Sequence, residues 1–349
     1  MSEREPGEFE RIRDIVATLP RGDGVVVGPG DDAAVLRPRV GRDLAVTTDA
    51  FVEGRHWQRG LLDARAIGHR LAAANLSDLA AMAAIPRWAL VSSGTPPGAD
   101  PAELRAIESA LAALLATEGA AVVGGNLTAT DGPAWVSVTL LGDVARGGHW
   151  TRAGARPGDV LAVTGHPGRA AATLALALYA EPPSLARAPL GLVEAFANPP
   201  VRVRAAHALA AAGGVNAAID LSDGLAGDLA HVCAASGVGA VLDERLLPAD
   251  PMLAQAARDL YALLAARAGE PPPDAAALLE GFRFAPGDDY ELLLAIAPER
   301  FDACADAARE AGTPLARIGE CTRDAGALVW RRADGAEAPL PGRGFDHFA

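Results

Sequence analysis

The chain has 349 residues, half of them hydrophobic and 21% charged, which excludes a disordered polypeptide and leaves room for about two domains. A formal net charge of −13 excludes a general nucleic-acid-binding surface. There is no lysine, all 31 basic residues being arginine, and this excludes a P-loop lysine, a kinase strand lysine and any Schiff-base mechanism.

Residues 1–16, MSEREPGEFERIRDIV, are charged and read as a short helix, not a signal peptide. GPGDDAAVL follows, a Pro-Gly turn that sets Asp31 and Asp32 before an apolar run. Residues 43–52 read as a strand leaving into a polar loop that carries His56. Residues 63–84 read as a helix with apolar positions at Ile67, Leu71, Ala74, Leu79 and Met82. A strand is expected over 86–92. Asp100, Pro101 and Glu103 have the arrangement of a capping box, and Gly119 can end the helix they begin. Residues 120–124 and 135–141 read as strands. The Gly-, Arg- and Pro-rich stretch 142–158 marks a boundary between a first domain, 1–145, and a second, 146–349.

The second half keeps the same style. Strand 159–164 precedes a helix beginning near Gly168, and another helix lies at 201–212. Strand 215–220, helix 223–236 and strand 238–243 come next, then helices at 250–268 and 274–281. Strand 290–297, helix 298–311 and two final strands complete a two-domain α/β protein, each half a sheet covered by helices. No uninterrupted apolar run reaches about 18 residues, so no membrane span is expected. Cys233, Cys304 and Cys321 stand far apart, with neither metal-ligand spacing nor a disulfide framework, as suits a reducing cytoplasm.

The acids fall at strand and turn ends: Asp31, Asp32, Asp49, Asp78, Asp220, Asp223, Asp288 and Asp289. PGDD occurs twice, at 29–32 and 286–289, and NLSDLA at 75–80 is echoed by DLSDGLA at 220–226. Carboxylates at the carboxyl ends of strands suit Mg²⁺, a hard cation that wants oxygen ligands. Because Mg²⁺ takes only one or two carboxylates per ion, this many acids point to several ions and to a highly charged substrate, such as a nucleoside triphosphate with a second phosphate. Two glycines after an apolar strand, in VVGGN at 122–126, let backbone N–H groups approach an anion. Arg152 or Arg156 could clamp phosphate.

In order along the chain, GPGDDAAVL, TTDAFVEGRHW, AANLSDLAAM, VVGGN, TRAGARPGD, AIDLSDGL, PGDDYELLL and a terminal GFDHF resemble the thiamine-monophosphate kinase family. That family lies within the superfamily that includes aminoimidazole ribonucleotide synthetase. The resemblance implies an N-terminal mixed sheet whose domain forms a homodimer interface, and a C-terminal α/β domain. It implies phosphorylation of thiamine monophosphate by ATP with several Mg²⁺ ions, in the cytoplasm, with no nucleic-acid or membrane partner. Carried over by position, Asp32, Thr47, Thr48, Asp49, Asp78, Asn126, Asp220 and Asp223 would hold metal. Gly125, Arg152 and Ser222 would contact ATP, and His56, Asp288 and Phe345 would contact thiamine monophosphate. No covalent or strong acid/base residue is implied. Asn126 stands where the family commonly has Asp, which keeps an oxygen ligand but loses a charge. The alternatives are another ATP-using member of the superfamily with a different substrate, or a non-catalytic nucleotide-binding homologue.

Overall fold

The computed structural model describes residues 22–179, 182–266 and 272–342, with Val16, Leu19 and Gly344. The expected N-terminal helix falls almost entirely outside the described residues, and so does Phe345. Two compact units make up the chain: Met1–Leu79 with Ala84–Gly147, and Ala80–Ala83 with Gly148–Ala349.

In the first unit, β1 (Val25–Val27) and β2 (Val35–Leu36) form a small antiparallel ribbon. The main sheet has the order β3-β6-β4-β5, where β3 is Arg42–Val52, β4 Ile85–Thr95, β5 Ala121–Ala129 and β6 Trp135–Ala145. Only β4 and β5 run parallel, so the sheet is mixed. Helix α1 (Ala64–Ala81) starts where the Asp63 carboxylate accepts from the Ala66 N–H at 2.8 Å, and it buries Ile67, Leu71, Ala74 and Leu79. Helix α2 (Pro101–Thr117) departs from the expected capping box. Asp100 accepts from Ala102 N–H at 2.8 Å, while Glu103 turns away to pair with Arg59 at 2.8 Å. Gly119 follows the helix with φ +85°, a left-handed position that glycine adopts without steric cost.

β5 extends well past the expected end and takes both glycines of VVGGN into the strand. The reason is close packing: a Cβ on Gly125 would stand 1.8 Å from the Val91 carbonyl oxygen of β4. Gly125 is therefore required by the sheet itself, whatever it does for a ligand.

The second unit is built on a seven-stranded sheet. Its strands are β7 (Val160–Thr164), β8 (Val215–Asp220), β9 (Gly239–Asp243), β10 (Leu292–Ile296), β11 (Leu315–Thr322), β12 (Leu328–Arg331) and β13 (Glu337–Pro339). The order is β13-β12-β9-β11-β7-β10-β8, and only β12 and β9 are parallel. VLAVT of β7 and LLLAI of β10 are buried at every position, which is why they are apolar throughout and do not alternate. Helix α3 is Arg169–Leu178, α4 Leu190–Ala197, α5 Val203–Ala212 and α6 Leu225–Ser236. Helix α7 is Pro251–Ala265, α8 Ala275–Phe284 and α9 Phe301–Glu310. Leu161, Ile219, Leu229, Leu293, Ile318 and Trp330 belong to the sheet core, and α3, α4, α7 and α8 share a separate core containing Leu176, Leu192, Leu253 and Phe282. In this unit the sequence reading has no counterpart for α4, too short for its apolar run to show a helical period, or for β13, a third closing strand; in the first unit it has none for the short strands β1 and β2.

Candidate active site

Each unit gathers its own set of acidic and hydroxyl groups. In the first, alternation along β3 decides what faces what. Thr47 and Asp49 share one face of the strand, and the Thr47 hydroxyl donates to Asp78 Oδ2 on α1. Thr48 points to the opposite face, where its hydroxyl donates to Val138 O at 3.0 Å and accepts from Thr139 Oγ1 at 3.2 Å. Asn126 lies in register with Ser92 and Ser137, on the same face as Thr48 and away from Asp78. The structure thus brings Thr47 and Asp78 together and sends the side chains of Thr48 and Asn126 elsewhere. For Thr48, only its backbone carbonyl remains free of this alternation.

Asp31 and Asp32 are exposed in their turn, where Asp31 Oδ1 accepts the Asp32 N–H at 2.9 Å. Two contacts orient the His56 ring. Its ring stacks on Phe51 at 5.3 Å, and its Nδ1 accepts the Val52 N–H at 3.1 Å. An accepting Nδ1 places the ring proton of the neutral imidazole on Nε2 and leaves that edge as a donor.

In the second unit, Asp220 ends β8 and pairs with Leu292 of β10. That register puts the loop after β8 and the loop before β10 at one end of the sheet. The two loops are then stitched together: Asp288 N–H donates to Ser222 O at 3.2 Å, Tyr290 N–H to Leu221 O at 2.9 Å, and Leu221 N–H to Glu291 O at 2.7 Å. DLSDG and PGDD therefore form one loop cluster, with Asp220, Ser222, Asp223 and Asp288 on it. Gly224 completes the fit at φ +90°, where a Cβ would lie 2.3 Å from Ala285 O. Gly344 packs on α6 so closely that a Cβ on Gly227 would meet its Cα at 2.5 Å, which sets Gly344 beside Asp223. A glycine inside a helix costs about 1 kcal/mol relative to alanine, and here it makes room for Gly344. Arg152 is exposed, and its carbonyl accepts from Ser236 Oγ at 3.0 Å.

Three residues around this cluster, Asp228, Glu291 and Arg202, are not among the candidates read from the sequence, and Asp289 is there only as one of the turn acids, with no role assigned. Asp228, 2% exposed, receives the Ser222 N–H at 3.2 Å. Burial, and then the charges of Asp220 and Asp223, push its carboxyl up to about 8. Asp289 receives the N–H groups of Gly168 at 2.6 Å and Ala170 at 3.0 Å, so it caps α3 from a distant part of the chain. Burial pushes its carboxyl up to about 7 against those two donors. The spacing of Asp223 to Asp228 across a helix start, and the alternation of Asp289 and Glu291, were the available sequence signals. Burial also pushes the thiols of Cys233 and Cys321 up, to about 11 and about 12, so these free cysteines stay protonated.

A carboxyl raised in the folded state binds a proton that the unfolded chain has released. Its contribution to stability is whole below the ordinary carboxylate range and is lost as pH rises through the folded value. Without added divalent cation, the thermal midpoint is expected to fall between pH 5 and pH 8. Scanning fluorimetry across buffers should show a shallower fall in Asp228→Asn; an unchanged slope would contradict the assignment.

Among the described residues, no three His, Cys, Asp or Glu side chains close into a metal cage. The donors nevertheless fit Mg²⁺. All are oxygens, they come in small groups, and the repulsion felt at Asp228 is what a nearby cation relieves. Mg²⁺ characteristically takes one or two carboxylates and completes its shell with water and phosphate.

Comparisons with known proteins bear on the family and the fold. Residues 30–144 match the AIR synthase related protein, N-terminal domain, and residues 156–331 the AIR synthase related protein, C-terminal domain. The thiamine-monophosphate kinase of Escherichia coli K12 is 35% identical over 93% of each chain. The solved thiamine-monophosphate kinase of Stenotrophomonas maltophilia K279a is 34% identical, with a TM-score of 0.76, covering 97% of this chain and 99% of that one. AaThiL complexed with AMPPCP and TMP is 25% identical, with a TM-score of 0.71, covering 100% and 99%. No helix among the described residues is long and apolar enough to cross a membrane. With two acidic clusters, the AIR synthase related architecture and relatives matched along nearly their whole length, the chain belongs to the thiamine-monophosphate kinase family.

Proposed function

We propose that the chain transfers the γ-phosphoryl group of ATP to the phosphate of thiamine monophosphate, giving thiamine diphosphate and ADP, with Mg²⁺ as the cation. The observation that carries the reading is the stitched loop cluster of the second unit, which joins DLSDG to PGDD in a family whose members bear this name. Asp32, Thr47, Asp49 and Asp78 in the first unit, with the backbone carbonyl of Thr48, and Asp220 and Asp223 in the second, are the residues that would hold Mg²⁺; Asn126, whose side chain lies on the other face of the sheet from Asp78, is left out. Bound there, the cation would neutralise phosphate charge and act as a Lewis acid toward phosphoryl oxygens.

The remaining work belongs to the chain. Gly125, Arg152 and Ser222 are assigned to ATP, and Arg152 can supply a fixed cationic fork to a phosphate. His56, through Nε2–H, and Asp288 are assigned to the acceptor, with Phe345, which lies outside the described residues. The acceptor phosphate is already ionised near neutral pH, so an oxygen of that phosphate can attack the γ-phosphorus in line as the bond to the ADP oxygen breaks. No base or covalent intermediate is required, and catalysis is positioning together with charge neutralisation.

A homodimer belongs to the same reading. One face of the β3-β6-β4-β5 sheet leaves Leu44, Val46 and Leu90 exposed in a row of small and hydroxyl residues, as suits cover by a second copy. The buried free cysteines suit a cytoplasmic setting. The test is an end-point assay with ATP, Mg²⁺ and thiamine monophosphate, reading thiamine diphosphate directly, with sedimentation to give the mass. Product is expected with the monophosphate and none with free thiamine, which lacks the attacking phosphate. Nucleotide binding without ADP release would point instead to a non-catalytic homologue.

A further inference from the structure

Asp288 has φ +49° and Tyr290 φ +52°, both left-handed and neither a glycine. L side chains rarely adopt this region, and two instances within three residues persist only where the surroundings impose them. The surroundings are unusually explicit. Asp289 is fixed between the two by the Gly168 and Ala170 N–H groups of the α3 start. Glu291, 4% exposed, accepts both arms of one guanidinium: Arg202 Nε at 2.5 Å and Nη2 at 2.6 Å. Thr164 Oγ1 adds a third bond to Glu291 at 2.6 Å and itself accepts the Leu292 N–H at 2.8 Å. These anchors come from β7, the α3 start and the residue before α5. Asp289, Glu291 and Thr164 are buried, Arg202 is largely so, and their polar groups are bonded to one another and to backbone N–H groups. Ser222 has an anchor of its own in Asp228.

We propose that the Asp289 cap and the Arg202–Glu291–Thr164 clamp form a positioning device that holds Asp288 in its left-handed conformation against the Ser222 carbonyl, and so sets the enzyme's affinity for the phosphate acceptor. The inference rests on the reading of Asp288 as an acceptor contact. Loosening either anchor lets residues 288–290 relax toward ordinary backbone conformations and moves the Asp288 carboxylate. Ser222, held separately, stays in place for the nucleotide.

The test compares Asp288→Ala, Asp289→Asn, Glu291→Gln and Thr164→Val in the full chain. KM for thiamine monophosphate, KM for ATP, kcat and the thermal midpoint are measured for each. Thr164→Val keeps the side-chain shape and removes one of the three bonds to Glu291 together with the bond accepted from the Leu292 N–H, while leaving the Arg202–Glu291 pair in place, so it guards against variants that fail to fold. Leu192→Ala in α4, buried in the separate helical core, is the control for destabilisation alone. Asp288→Ala is expected to raise the acceptor KM about tenfold or more, and the two anchor variants by roughly the same factor, with ATP KM within about twofold. Thr164→Val should raise it less, and Leu192→Ala should lower the midpoint without moving either KM. If Asp288→Ala raises the acceptor KM while the anchor variants only lower the midpoint, the positioning proposal is overturned and the reading of Asp288 stands. If Asp288→Ala leaves the acceptor KM unmoved, that reading falls first, and the proposal with it.

Discussion

Asp78→Ala is expected to lower kcat/KM by about a thousandfold or more, the scale of losing several kcal/mol of transition-state charge stabilisation. Asp78 is only half-buried, and it accepts the Thr47 hydroxyl. Alanine is also the best helix former, so α1 should survive the change. The thermal midpoint without added cation should therefore stay close to that of the parent. The stabilisation given by added Mg²⁺ should shrink, because a ligand stabilises only in proportion to its binding to the folded state. Thr47→Val, which removes only a hydroxyl, should cost much less, on the order of tenfold. Steady-state kinetics and thermal shifts with and without Mg²⁺ check all three. Turnover within tenfold of the parent would remove Asp78 from the machinery and break the first unit's cluster as a metal site.

Arg202→Ala is expected to be the most damaging single change to stability in the second unit. Glu291 immediately precedes the buried strand β10, its carboxylate tied to one guanidinium and one hydroxyl. Removing the guanidinium strands a buried charge, at a cost of about 3–5 kcal/mol. For a chain of this size, that is a fall in thermal midpoint on the order of 10 °C. The cost comes from the uncompensated charge and far less from the lost attraction, so the double variant Arg202→Met with Glu291→Leu should recover most of the loss. Calorimetry on the two singles and the double closes the cycle. A double variant as unstable as Arg202→Ala would show that packing around the guanidinium stem, not charge, is what matters. The recovered double should still bind acceptor poorly, since apolar groups cannot reproduce the directed bonds beneath Asp288.

The two predictions differ in how far they could be foreseen. Asp78 lies in NLSDLA, an acid in a recognisable local pattern, and its place on a helix could be read from apolar spacing. Arg202 lies 89 residues from Glu291, and nothing local marks either residue as the other's partner. The fate of Thr48 was in principle legible. A strand alternates with a period of two, so Thr47 and Asp49 had to part company with Thr48 once 43–52 was read as a strand. The paired glycines misled in another way: Gly124 and Gly125 look like the end of a strand, but Gly125 lies inside one because β4 comes too close for any side chain.

By itself the sequence determined the alternation of strands and helices, the division into two halves, the exclusion of lysine chemistry, and the acidic turns that mark the family. These are local properties: periodicity, turn chemistry and charge act within a few residues of one another. Tertiary structure alone decided which acids share a loop, which face of β3 each hydroxyl takes, and which buried carboxylates support the others. Such choices depend on antiparallel register between strands far apart in the chain, and on burial, which makes an unpaired charge too costly to leave without its partner.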